Sequence, residues 1–171
     1  MVRLLLLTGM SPAEVCILRT ADIDVSGDVW LYRPGRHKTA HRGKERIIAL
    51  GPKAQEILHP WLRTELEAYL FSPAEAEAER RAVQAQRRKT SLSCGNRGGT
   101  NRKRAPKRKP GEKYTPSSLH HAISKACEKA NAAAIKAAGE AGQEVGNDAV
   151  IVPAWFPYQL RHAHATEVRR T

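Results

Sequence analysis

Apolar residues crowd the first positions of the chain, Val2 to Leu7 with only Arg3 among them, and then recur at spacings that change from segment to segment. The opening run reads as the end of a buried helix whose start lies outside the sequence, because a domain seldom opens at full apolarity without a capping residue. Thr8-Gly9-Met10 turns the chain, and Ser11-Pro12-Ala13-Glu14 is a capping box. The Ser11 hydroxyl accepts from the Glu14 N–H, Glu14 reaches back to Ser11, and Pro12 suits the first helical position. This predicts a helix to about Arg19 that buries Val15 and Leu18. Val29 to Arg33 alternates and Arg46 to Leu50 is β-rich, which predicts two short strands flanking a basic connection. The next helix opens at Gly51-Pro52, with Ala54, Ile57, Leu58, Trp61, Leu62, Leu66 and Tyr69 on its inner side and Pro60 kinking or splitting it. Ser72-Pro73-Ala74-Glu75 is a second capping box, heading a helix to about Arg88 with almost nothing large and apolar to bury. Thr115 and Pro116 cap a further helix with the inner stripe Leu119, Ala122, Ile123, Ala126, Cys127 and Ala130. Gly139 to Asn147 reads as a loop and Val150-Ile151-Val152 as a return to the core. Pro157 then starts a last helix in which Leu160, His164 and Val168 recur at i, i+4, i+8 beside Ala163. The fold class that follows is α+β, mainly helical, with a small antiparallel sheet.

One stretch has no periodicity at all. From Lys89 to Lys113 the chain is mostly Gly, Pro, Ser, Asn, Lys and Arg with scarcely a hydrophobe, as in Arg102-Lys103-Arg104-Ala105-Pro106-Lys107-Arg108-Lys109. Such a composition stays disordered when free, and serves either to neutralise phosphates or as a solubilising linker. A chain of 171 residues is enough for one respectable core, so it reads as one domain with an insertion at about 89–113.

The charge narrows the partner. With 29 Lys and Arg against 17 Asp and Glu the net charge is +12, which points to a polyanion: nucleic acid first, an acidic lipid surface second. No apolar run is long enough to cross a membrane, and Val2 to Leu7 is too short for a signal peptide. Cys16, Cys94 and Cys127 are widely spaced and never in a Cys-x-x-Cys pair, against a disulfide framework or zinc site and for a reducing compartment.

Candidate chemistry gathers at the two ends. Arg161 borders the apolar face of the last helix, where it is either a structural Arg or a planar fork able to grip a phosphate with two hydrogen bonds. His120 and His121 are adjacent and point apart, as do His162 and His164, so neither pair suits a metal, and DNA-backbone or solvent contacts are expected of the first pair. The connection Pro34 to Lys44 carries Arg36, His37, Lys38, Arg42 and Lys44, and reads either as a solvated turn or as a basic arm.

Three segments in this order resemble the boxes of the tyrosine recombinases, the phage-integrase family. Thr8-Gly9-Met10-Ser11-Pro12-Ala13-Glu14-Val15 is similar to the first box, Thr-Gly-Met-Arg-Pro-x-Glu-hydrophobic. Lys38-Thr39 matches the Lys-Thr of the β-hairpin. Tyr158-Gln159-Leu160-Arg161-His162-Ala163-His164-Ala165-Thr166 resembles the second box, His-x-x-Arg followed by His-Thr-x-Ala-Thr. Leu70-Phe71-Ser72-Pro73, the acidic helix, the basic loop and Tyr114 look like an insertion seen in planctomycete-type integrases. The resemblance implies strand cleavage without metal or cofactor. A Tyr hydroxyl attacks the phosphorus, the bond to the 5′-oxygen breaks, and the 3′-phosphotyrosyl link keeps the bond energy for rejoining. It assigns Arg161 to the phosphate, Lys38 to protonating the leaving 5′-oxygen from the minor groove, and Glu14 to supporting the site. Arg36, His37, Arg42, Lys44 and His162 are then contacts to the DNA backbone.

The departures matter as much. Ser11 stands where the family has its first catalytic Arg, and a hydroxyl cannot carry that charge; losing such an anchor costs on the order of a hundredfold in rate. Tyr158 stands at the His of the second box. The nucleophile segment, the Leu-Gly-His box and the upstream core-binding domain are expected to lie outside this sequence. The reading is therefore a recombinase catalytic-domain fragment, acting on double-stranded DNA in the bacterial cytoplasm with other protomers in the intact family, and inactive as this polypeptide. The alternatives are a non-catalytic basic nucleic-acid-binding module using Lys89 to Lys113 as its arm, and a structural or ribosome-associated basic protein.

Overall fold

The computed structural model describes residues 1–37, 43–89, 110–142 and 152–170. Helix α1, Val2–Thr8, buries Leu4 and Leu5 and ends at Gly9, whose left-handed backbone (φ 61°) returns its N–H to the Leu5 carbonyl. Burying each of those leucines contributes about 1.5–3 kcal/mol. Helix α2, Pro12–Cys16, is shorter than its pattern predicts. The residues after it are taken by another partner: Leu18 accepts from the Leu70 N–H and Arg19 pairs with Tyr69, which draws the chain into extended backbone.

The sheet has three antiparallel strands in the order β1-β2-β3: Ile23–Asp24, Trp30–Tyr32 and Ile48–Leu50. Strands β2 and β3 are trimmed versions of the two expected; β1, two residues long, is too short to show any alternation in sequence. Tyr32 stands opposite Ile48 and Trp30 opposite Leu50, so Tyr32, Ile48 and Leu50 turn into the core.

Helix α3, Pro52–Leu58, buries Ala54 and Leu58 and gives way to a tight turn at His59–Trp61, the split expected of Pro60. Beyond it Leu62 is extended, so the helical register stops there and Leu66, expected on the inner face, lies 54% exposed. Trp61 is also half-exposed and covers Phe71, ring centroids 5.2 Å apart. Helix α4, Pro73–Gln86, has no buried residue, as its composition predicts, and only the Ser72 half of its capping box forms, because the Glu75 carboxylate pairs with Arg63 instead.

Helix α5, Pro116–Glu140, starts in a complete Thr115/Ser118 capping box and runs through Gly139, longer than expected. Only its first turns bury apolar side chains, Leu119 and Ile123, with Cys127 half-buried; Ala122, Ala126 and Ala130 are exposed. Helix α6, Gln159–Arg170, packs on α1 and presents Leu160 to the core, while Val168 is 59% exposed rather than on a packed face. The molecule is mainly helical with a small antiparallel sheet, and none of its described helices is long and apolar enough to cross a membrane.

Candidate functional site

The site is built outward from Ser11, the N-cap of α2. Its N–H donates to Glu14 Oε2 at 2.6 Å and its hydroxyl accepts from the Glu14 N–H at 3.3 Å, so both halves of the box close. The other carboxylate oxygen, Oε1, accepts from Arg46 Nε at 3.1 Å. Glu14 is the one buried charged residue among those described. Burial opposes its ionisation, but the Ser11 N–H and the Arg46 guanidinium outweigh it and hold the carboxyl below its ordinary range. Tyr32, fully buried, donates its hydroxyl to the Glu14 carbonyl at 2.8 Å. Burial followed by the nearby carboxylates raises its pKa, so it stays a neutral phenol. Strand β2 thus fixes the backbone of α2, and the residue leading into β3 fixes its carboxylate.

Three contacts fix the second box, and the last of them ties it to α1 just ahead of the first box. Asn131 on α5 donates to the Val152 carbonyl at 3.1 Å and accepts from its N–H at 2.8 Å, pinning the segment that leads to α6. Gln159 Oε1 accepts from the Phe156 N–H at 2.7 Å and fixes the first turn. His164 Nδ1 lies 2.9 Å from the Leu6 carbonyl oxygen, a contact that needs the ring proton on Nδ1. His164 therefore serves packing, and its companion His162 is exposed with its ring edge-on to Tyr158, centroids 5.3 Å apart.

Three helix starts meet at an open groove of about 420 Å³ lined by Ser11, Pro12 and Ala13 from α2, Pro116, Ser117 and His120 from α5, and Phe156, Pro157 and Tyr158 ahead of α6. Ser11 and Tyr158, 147 positions apart in the chain by subtraction of their numbers, face the same space. His120, half-exposed, lies against Phe156 with ring centroids 4.7 Å apart. Arg161 follows Tyr158 by one turn, its N–H donating to the Tyr158 carbonyl at 3.1 Å. It is half-buried, and its guanidinium has no hydrogen-bond or ion-pair partner among the described residues. Arg19, by contrast, is tied to Asp22 at 2.9 Å and to Glu67.

Of the basic connection, Arg36 and Lys44 are exposed and His37 half-buried; Lys38 and Arg42 lie outside the described residues. Residues 90–109 of the basic run do too, while its end is anchored by Lys113 Nζ, 3.2 Å from the Tyr69 hydroxyl. Among the described residues no three His, Cys, Asp or Glu stand close enough to hold a metal ion.

Sequence reasoning overlooked Arg46, Tyr32 and Asn131. A signal for Arg46 existed: a Glu set between Ala13 and Val15 in an amphipathic helix is headed for burial, and a buried carboxylate needs a cation from elsewhere in the chain. Nothing in the pattern named which one.

A family model described as the phage integrase family matches residues 1–171, the whole chain. No curated protein and no solved structure matches it.

Proposed function

This chain belongs to the phage integrase family, the tyrosine recombinases, and from that premise we propose that it grips a DNA phosphodiester between its two boxes without cutting the strand. DNA binding, recombination and integration are the work of the family. The observation that carries the reading is the meeting of Ser11 and Tyr158 at one groove, with the guanidinium of Arg161, which has no partner among the described residues, one turn further on. A half-buried guanidinium with no partner among the described residues is open to a phosphate, which it can take with two hydrogen bonds. Glu14 supports the turn, Lys38 and its neighbours Arg36, His37, Arg42 and Lys44 hold the backbone from the hairpin, and His162 adds a contact beside Tyr158.

Chemistry is what this reading withholds. Ser11 supplies a hydroxyl where a second cation would stabilise the transition state. Tyr158 sits next to the helix carrying Arg161, not on a separate segment that could swing to the phosphorus, and Tyr32 is buried and neutral. The run Lys89 to Lys113 fits the planctomycete-type insertion and adds sequence-independent affinity.

The test uses random-sequence duplexes. Anisotropy should report salt-dependent binding, and a pool of nicked half-sites that trap covalent intermediates should yield no protein–DNA adduct. An adduct overturns the inactivity, and absence of binding overturns the whole reading. Deleting 89–113 separates the alternative: a basic module working through that arm loses all binding, whereas the recombinase reading retains part of it.

A further inference from the structure

We infer that Arg46 supplies the phosphate-holding cation that position 11 lacks. The inference rests on the DNA-binding reading above and adds a residue to it. Arg46 is tied to Ser11 through a single carboxylate: Glu14 Oε2 takes the Ser11 N–H at 2.6 Å while Glu14 Oε1 takes Arg46 Nε at 3.1 Å. Among the described residues only Nε is used: the two terminal nitrogens, Nη1 and Nη2, make no hydrogen bond with any of them. The Arg46 side chain is 32% exposed against 8% for Glu14, so the cation stands at the solvent edge of a buried carboxylate.

That is the arrangement a phosphate clamp needs. A guanidinium anchored through Nε keeps its Nη pair for a second, bidentate partner and loses little rotamer freedom when the anion arrives. An Arg at the N-cap of α2 would reach out from the turn itself. Arg46 comes from the segment leading into β3 and arrives beside the same turn, held by the acidic residue of the same box. The cost is that the Glu14 carboxylate shares its charge, so Arg46 suits holding a phosphate at rest better than stabilising extra charge in a transition state.

The experiment is the salt dependence of binding to a random-sequence duplex by the whole chain. Each phosphate contact contributes about 0.9 to the slope of log K against log salt. Arg46→Gln should lower the slope by about one, and Arg46→Lys should keep it. Because Arg46→Gln leaves Glu14 buried without its cation, the double variant Glu14→Gln/Arg46→Gln, in which two amides can bond each other, provides a folded comparison, and its slope should also fall by about one. Unchanged slopes in both folded variants would overturn the role of Arg46 while leaving DNA binding intact. Weaker binding at an unchanged slope would overturn it too, since a merely structural Arg lowers affinity without releasing a counterion. If the unaltered chain binds no duplex, the functional reading falls and this role with it.

Discussion

Gly9 carries His164: a methyl group placed on Gly9 would stand 2.5 Å from His164 Cδ2, and the same imidazole bonds the Leu6 carbonyl one turn back. The glycine of the first box is thus occupied twice over, by the left-handed turn that ends α1 and by the side chain of the variable position in the second box. The two boxes are joined by this packing as much as by any charge.

Gly9→Ala should therefore destabilise strongly. The left-handed backbone costs about 1–2 kcal/mol for a residue with a Cβ, and overpacking against His164 adds about 1–3 kcal/mol. Adding His164→Ala should recover only the second part. Urea unfolding checks this, and a Gly9→Ala protein as stable as the parent would refute the contact.

Acid should loosen the site through Glu14. Its folded pKa is depressed below the ordinary 4.5, so the stability it contributes is complete above that value and is lost as pH falls through the folded one. Arg46→Gln removes the pairing that lowers the pKa and leaves the burial that raises it. The acid limb of the stability profile should then move to higher pH, read from urea midpoints between pH 3 and 7.

Ser11 separates cap from charge. Ser11→Ala should cost about 1 kcal/mol of stability through the lost cap, with little change in the salt slope of DNA binding. Ser11→Arg should raise that slope by about one and tighten binding. Equal slopes for the serine and arginine forms would remove position 11 from the phosphate site.

Arg161→Ala should leave the melting temperature nearly unchanged, because the guanidinium has no partner among the described residues, yet lower the salt slope by about one. A large fall in melting temperature with an unaltered slope would make Arg161 structural.

Cys16 should resist alkylation in the folded state. Burial pushes its thiol up to about 11, so almost none is thiolate at pH 8. Mass mapping after brief iodoacetamide treatment should find half-buried Cys127 labelled well ahead of Cys16, and comparable labelling only after urea.

Much of the fold was legible wherever a local rule acts alone. The Ser11/Glu14 box, the Thr115 cap, the Pro60 split and the unburied face of α4 each follow from a few neighbouring residues, and each formed as the pattern predicts. Where two distant segments compete, the pattern failed. Helix α2 ends at Cys16 because Leu18 and Arg19 are claimed by residues 69–70, and the Ser72 box closes only halfway because Arg63 holds Glu75. Val168 and Leu66 show the same limit, since helical spacing says which residues share a face but not whether anything lies opposite.

For the site, the sequence by itself determined the chemistry on offer: a +12 chain with the three boxes of an integrase in order, a hydroxyl at position 11, a phenol at 158 and an Arg at 161. Those are properties of residue types and spacing. Only the tertiary structure decided that Ser11 and Tyr158 share a groove, that His120 meets Phe156, and that Arg46 is the cation for Glu14. Pairing between residues 32 positions apart depends on how β3 is laid beside α2, and no local periodicity encodes which of many cations that geometry will deliver to a buried carboxylate.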